Sequence, residues 1–345
     1  MIICSTHTPP PQLTSQYLFI DAVMDILQQS YRYGKSPLIF TPTPVPRDVF
    51  LFGGNISRSL SPLLHGILFK SRNTRWAFTK VETTYESEFK TRLNSTATTG
   101  TSITMPNKVT FGKALDDLTE DARMIGAVNT SFVRVAPDGR RVHIGTNTDC
   151  VGIRDAILHR HSSDISAAYG KAAMVIGGGG AARSAIYALW KWFRPSEIYI
   201  ANRLKSEVED IMSHFKTTIP SVRLRHIETT ITANRTKAPY IIVGTIPDYA
   251  PAQQGEILCA RICEIILRKP EKGLLVDMCY MPSPQTNLIN IAQDYGWETI
   301  VGTDVLVRVC VAQQILWVEE EPNEMDVQQA LAALREVSRT EPARL

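Results

Sequence analysis

The residues whose types and spacing could do chemistry lie at turns. In Ala172-Ala-Met-Val-Ile-Gly-Gly-Gly-Gly-Ala-Ala-Arg-Ser-Ala-Ile-Tyr-Ala-Leu189, a short apolar run ends in glycines and is followed by helix formers. Strand, glycine turn and helix in that order aim unpaired backbone N–H groups and a positive helix end at a pyrophosphate. Gly177, Gly179 and Gly180 suit the tight turn, the close backbone approach and the packing of helix on strand. Ala181 opens the helix, and Ala182 stands where the dinucleotide fingerprint accepts alanine. Glu197-Ile-Tyr-Ile-Ala-Asn-Arg203 is a second strand ending about twenty residues on, where such a unit reads the adenosine ribose. A glycine run alone often marks only a turn; the second strand turns it into a candidate nucleotide site.

Two further turns carry reactive or polar groups. Ser57-Arg-Ser-Leu-Ser-Pro-Leu-Leu-His65 follows the strand-like Asp48-Val-Phe-Leu-Phe-Gly-Gly54. Ser61 before Pro62 is a helix N-cap by type, and the hydroxyls of Ser59 and Ser61 at a helix start suit a ligand carboxylate. Gly100-Thr-Ser-Ile-Thr-Met-Pro-Asn-Lys108 reads as a strand running into a proline turn that presents one lysine.

Other chemistries are not expected. Cys4, Cys150, Cys259, Cys263, Cys279 and Cys310 are scattered, with no CxxC pair and no zinc spacing, so no metal is expected and the thiols should stay reduced. His159 and His161 are two apart on a helix and do not face each other. A net charge of +3 without a basic run argues against nucleic acid. No apolar run approaches membrane-spanning length, and the amino terminus lacks a secretory signal pattern, so a cytoplasmic protein acting on a small molecule is expected. With 44% hydrophobic and 21% charged residues in 345, the chain has the composition of a soluble globular protein of two domains.

The elements that must position these turns alternate strand and helix, which argues for α/β architecture. Residues 1–46 form an extension, with proline-rich Thr8–Pro11 and Thr41–Pro46 flanking a helix-compatible Tyr17–Tyr31. In the first folded unit, 47–149, Trp76–Glu82 alternates as a strand and Glu86–Leu93 reads as a helix. Pro137-Asp-Gly139 marks a hairpin between Thr130 and Val142, and a helix opens near Gly152. The second unit, 150–302, adds strands at Tyr240–Gly244 and Leu274–Tyr280. A long apolar helix at about 303–320 should return to the first unit, leaving 321–345 as a C-terminal helix or tail.

Taken together, these motifs resemble the shikimate/quinate 5-dehydrogenase family over roughly residues 48–320. The matching residues are Ser59-Leu-Ser-Pro62 with His65, Thr104-Met-Pro-Asn-Lys108, Gly126-Ala-Val-Asn-Thr130 and Gly145-Thr-Asn-Thr-Asp149 with Gly152. Gly177–Arg183, Asn202-Arg203, and Asp277-Met-Cys-Tyr280 with Pro282 and Thr286 complete the set in family order. The resemblance implies an α/β substrate-binding domain and a Rossmann-type domain with a cleft between them. It implies an NAD(P)-dependent oxidoreductase interconverting quinate, shikimate or a close polyol acid and its 3-dehydro ketone. Lys108 and Asp149 would be the catalytic pair, Ser59, Ser61 and Tyr280 would hold the carboxylate, and Thr104, Asn129 and Asp149 would meet ring hydroxyls. Gly177, Gly179, Gly180, Ala181, Asn202, Arg203 and Lys205 would bind the dinucleotide.

The chain departs from the family pattern at two places. Eight residues before Trp317, where the family has a substrate-binding Gln, stands Val309; Gln313, one turn on, either substitutes or leaves a hydroxyl contact missing. After Asn202-Arg203 come Leu204 and Lys205, and Glu207 puts negative charge where NADP-using relatives carry a positive one. Both NAD and NADP stay open, with a lean to NAD. Two alternatives accompany the leading one: a catalytically weak ligand sensor of quinate metabolism, and an oxidoreductase of specialised metabolism acting on a modified ring.

Overall fold

The computed structural model describes residues 25–38, 45–160 and 165–340. Thr8–Pro11, Thr41–Pro44, the first half of the helix expected over Tyr17–Tyr31, Cys4 and His161 lie outside the described residues. Among the described residues no helix is long and apolar enough to cross a membrane, and no cluster of His, Cys, Asp or Glu suits a metal.

The architecture is α/β, built on two six-stranded sheets. The first contains β1 (Arg47–Gly53), β2 (Trp76–Glu82), β3 (Thr98–Ile103), β4 (Asp117–Leu118), β5 (Thr130–Val135) and β6 (Arg141–Thr146). Its order is β2-β1-β3-β5-β6-β4. β1 runs parallel to β2 and β3, whereas β5 is antiparallel to β3 and β6. The expected hairpin at Pro137–Gly139 joins β5 to β6, with Gly139 at φ +84°. Helices α1 (Ser61–Ser71), α2 (Glu86–Leu93) and α3 (Glu120–Ile125) belong to this half.

α4 (Asp149–Arg160) leads to the second sheet, which is wholly parallel. It comprises β7 (Ala173–Ile176), β8 (Ile198–Ala201), β9 (Leu224–His226), β10 (Ile241–Gly244), β11 (Leu274–Asp277) and β12 (Glu298–Ile300). The order β12-β11-β10-β7-β8-β9 reverses between β7 and β10, the Rossmann switch point at which dinucleotides sit outside the carboxyl ends of the strands. Four of these strands are buried along their whole length, as befits parallel strands covered by helices on both faces. The crossing helices are α5 (Gly180–Ala188), α6 (Lys205–Thr218), α7 (Thr230–Arg235), α8 (Gln254–Leu267) and α9 (Asn287–Asp294). β9, β12 and the helices between them are additions to the expected elements.

The expected long apolar helix is α10 (Gly302–Val318), followed by α11 (Glu324–Thr340). α10 is buried around most of its circumference because it joins the two halves. One side packs on α4, where a Cβ on Gly152 would come within 2.4 Å of Val309 Cγ2. The other packs with Leu60, Leu64 and Leu68 near α1, with Leu331 and Leu334 of α11, and with Leu27. The described part of the amino-terminal extension is thus docked on the body, and Lys35 also bridges to Val135 beside β5.

Candidate active site

The lysine-bearing turn is fixed before its side chain does anything. Thr104 leaves β3 with its N–H donating to Phe52 O at 2.8 Å, and Asn107 N–H turns back to Thr104 O at 2.9 Å. The Asn107 amide donates to Thr83 O at 2.8 Å, and Lys108 O accepts from Val128 N–H at 2.7 Å. That last bond ties the turn to Gly126–Thr130, where Gly126 ends α3 in the left-handed conformation at φ +71°.

Asp149 is the first residue of α4, which opens three residues before Gly152, so the carboxylate lies in the first helical turn, where the helix dipole favours negative charge. Lys108 Nζ and Asp149 Oδ2 meet at 2.5 Å, with only 15% and 8% of their side chains exposed. The other carboxylate oxygen, Oδ1, accepts from Asn129 Nδ2 at 2.7 Å. Asn129 also donates to Thr148 Oγ1 at 3.0 Å, while its Oδ1 accepts from Thr148 N–H at 2.7 Å. Its amide is therefore committed to protein partners. Both oxygens of the carboxylate are held, so the amine is presented in one orientation.

The pair opens on the glycine turn. A Cβ on Gly180 would lie 3.1 Å from Lys108 Cβ, a tight contact, so glycine here keeps room for the lysine at the start of α5. Gly177 takes φ +129°, and a Cβ on Gly178 would fall 2.4 Å from Asn202 Nδ2. Gly179 is the N-cap of α5, so the amides of Gly180, Ala181 and Ala182 have no partner within the helix. Narrow glycine cradle, free amides and helix end fit a dinucleotide pyrophosphate. Asn147 draws the halves together: its Nδ2 donates to Ala127 O at 3.0 Å and to Ser184 Oγ of α5 at 2.9 Å.

Ser59 and Tyr280 flank the same cleft. Burial raises the Tyr280 phenol to about 12; its hydroxyl is hydrogen-bonded to Ser59, and it feels the charge of Asp149. The expected N-cap is displaced by one residue: α1 begins at Ser61 with Leu60 as cap, and Ser59 Oγ accepts from Ser61 N–H at 3.3 Å. Ser61 therefore carries its hydroxyl in the first helical turn instead of spending it as the cap. Val309, at the family's Gln position, is packed against Gly152. Gln313 is 1% exposed and its amide is fully engaged: Nε2 donates to Ser102 Oγ (3.2 Å) and Thr130 Oγ1 (2.9 Å), and Oε1 meets His65 Nε2 at 3.0 Å.

Just past the end of β8, Asn202 Nδ2 donates to Glu207 Oε2 at 2.6 Å. Arg203 pairs with Glu256 at 2.7 Å and Lys205 with Glu228 at 3.2 Å. Backbone N–H groups of Gln253 and Ala252, joined by Arg203, hold the Glu256 carboxyl down at about 2. The sequence reading missed the supporting shell of Ser102, Thr130, Asn147, Thr148 and Gln314. Thr130, Asn147 and Thr148 lie inside the recognised motifs, but their spatial partners are far away in the chain.

Residues 51–131 match the family model described as the shikimate dehydrogenase substrate binding domain. The chain is 37% identical over 316 residues to a quinate dehydrogenase of Emericella nidulans, covering 85% of this chain and 96% of that one. Among solved structures, the dehydroquinate dehydratase and shikimate dehydrogenase chain from S. pombe superposes with a TM-score of 0.67 at 29% identity. That match covers 83% of this chain and 53% of the longer S. pombe chain. A shikimate 5-dehydrogenase from Thermus thermophilus, solved with NADP(H) and shikimate, shares the fold, with a TM-score of 0.64 at 23% identity over 83% of this chain and 99% of that one.

Proposed function

Since the chain belongs to the shikimate/quinate dehydrogenase family and is an NAD(P)-dependent oxidoreductase, we propose that it oxidises the 3-hydroxyl of quinate, with shikimate as the nearest competing substrate. The observation that carries this is the 2.5 Å contact of Lys108 and Asp149 beside the glycine turn. Quinate is preferred because the quinate dehydrogenase relative is matched over 96% of its length. In this reading residues 47–149, with the helix at 303–320, form the substrate domain, and 150–302 the dinucleotide domain. The five described cysteines are all free thiols, in keeping with a reducing cytoplasm.

A bound nicotinamide dinucleotide supplies the hydride acceptor. Lys108, as the neutral amine, takes the proton of the hydroxyl being oxidised and, as the ammonium, returns it in the reverse direction. Asp149 orients the amine and meets a neighbouring ring hydroxyl. Thr104, at the head of the lysine turn, meets another. Asn129, its amide committed to Asp149 and Thr148, keeps the carboxylate in place. Ser59, Ser61 and Tyr280 receive the substrate carboxylate. A site of fixed donors and acceptors discriminates strongly against analogues lacking a hydroxyl.

NAD is the preferred cofactor in this reading. Glu207 sits over Gly178 and Asn202, where a carboxylate accepts from a ribose diol and repels a 2′-phosphate. Arg203 and Lys205, the cations that a phosphate would need, are each neutralised by a glutamate. Intact pairing of Lys108 with Asp149 favours the enzyme over the sensor. The test is an activity matrix of quinate and shikimate against NAD+ and NADP+, followed by the absorbance of the reduced nicotinamide. The reading expects the fastest growth with quinate and NAD+; no turnover with any combination overturns it.

A further inference from the structure

The hydrogen bonds around Asp149 continue deep into the core, and their direction can be worked out from the carboxylate outward. Asn129 Nδ2 donates to Asp149, and its Oδ1 accepts from the Thr148 backbone N–H, so the orientation of this amide is fixed. Thr130 Oγ1 donates to that Oδ1, which can only accept, at 2.9 Å, and lies equally 2.9 Å from Thr148 Oγ1. With its one proton given to Asn129, Thr130 Oγ1 has two acceptor sites, which the Thr148 hydroxyl and Gln313 Nε2 at 2.9 Å fill. With its Nε2 so placed, Gln313 Oε1 faces His65 Nε2 at 3.0 Å and accepts from it. His65 Nδ1 is left unprotonated and accepts from Gln314 Nε2 at 2.9 Å. Thr130, Gln313, His65 and Gln314 are each no more than 1% exposed, so no water competes for these positions.

From this we propose that Gln313 is a positioning residue of the Lys108–Asp149 pair, acting through Thr130 and Asn129 and not by contact with the substrate ring. The inference rests on the catalytic reading of that pair. Each member from Gln314 to Asn129 gives a donor along the chain toward Asp149, with Gln313 Nε2 also reaching Ser102 and Asn129 Nδ2 also reaching Thr148, so the chain holds the carboxylate in place against Lys108. It also accounts for Val309. The Gln one turn later, at position 313, is taken up in holding the catalytic carboxylate, while Val309 closes the packing of α10 on Gly152. The other titratable groups near Asp149 are Lys108, Tyr280 and Cys150, none of which touches Gln313.

The experiment compares kcat and KM of the enzyme for wild type, Gln313→Met and Lys108→Met. Loss of the relay should lower kcat of Gln313→Met roughly five- to ten-fold. KM for quinate should stay within about two-fold. A rise in KM with kcat unchanged would make Gln313 a substrate contact and overturn the inference. So would kinetics identical to wild type per folded molecule. Lys108→Met separates the premise: if it still turns over, the catalytic reading itself has failed. Should Gln313→Met not fold, Thr130→Val cuts the chain one link nearer Asp149 and Thr130→Ser restores the hydroxyl. Loss in the first with recovery in the second supports the relay, and equal activity in both refutes it.

Discussion

Acidification should destabilise this protein through His65, by an amount that the structure sets. The ring is wholly buried, stacked on Phe78 with centroids 4.3 Å apart and 5.1 Å from the Trp317 ring. Both nitrogens are used in the neutral form, and a proton on Nδ1 would face the Gln314 donor. Burial accordingly pushes the imidazole down to about 3, against the 6.5 of a free histidine. The folded value lies below the unfolded one, so the unfolded chain takes up the proton first. This stability is fully present above pH 6.5 and is lost as pH falls toward 3. At pH 5 the unfolded imidazole is protonated over about 1.5 units, which costs about 2 kcal/mol. Asp277 works in the opposite sense. Burial, opposed by the Thr286 hydroxyl and the Cys279 N–H, raises its carboxyl to about 6, so its contribution grows as pH falls through 6. That gain is about 1 kcal/mol by pH 5, so the wild-type curve alone understates His65. The clean measurement is urea unfolding of wild type and His65→Gln at pH 7.5, 6 and 5. The variant should be less stable at pH 7.5, yet lose about 2 kcal/mol less than wild type on going to pH 5. Parallel curves would refute the assignment of a neutral, buried His65.

Other outcomes follow from single contacts. Lys108→Met should remove at least about 99% of turnover while the circular dichroism spectrum stays that of the folded protein. Glu207→Gln keeps a hydrogen-bond acceptor for Asn202 but removes the charge, and should raise the ratio of kcat/KM for NADP+ over NAD+ about ten-fold; an unchanged ratio excludes Glu207 as the selector. In Gly100→Ala the new Cβ would fall 2.1 Å from Trp317 Nε1, the donor to Ser131 O, so the variant should lose about 2 kcal/mol in chemical denaturation.

What could be read from the sequence depended on how local its cause was. The glycine turn was legible because strand, turn and helix are consecutive, and each glycine answers a nearby constraint, such as the positive φ of Gly177. The Pro137–Gly139 hairpin was legible for the same reason. The short strands β9 and β12 were not, since three half-exposed residues have no periodicity to detect. The start of α4 was read late because Asn147 caps it from outside, its Oδ1 accepting from Cys150 N–H at 3.2 Å. The hydrogen-bond partners of Gln313 lay furthest from sight. Ser102, Thr130 and His65 come from different elements, and spacing along α10 says only which face Gln313 occupies.

The tripeptide Asn147-Thr148-Asp149 explains why a loop between two sheets is the most constrained part of the site. Asn147 reaches across to Ser184 on α5. The Thr148 backbone fixes Asn129 on the substrate side, and Asp149 closes on Lys108. One stretch of backbone thus sets the distance from the glycine turn to the Lys108 amine and from that amine to Asn129. A rotation of one half against the other would have to stretch bonds that begin on adjacent residues. The spacing between the glycine turn and Lys108 is therefore held where the chain passes from one sheet to the other, and any opening between the sheets is expected to hinge elsewhere, where fewer buried polar groups are at stake.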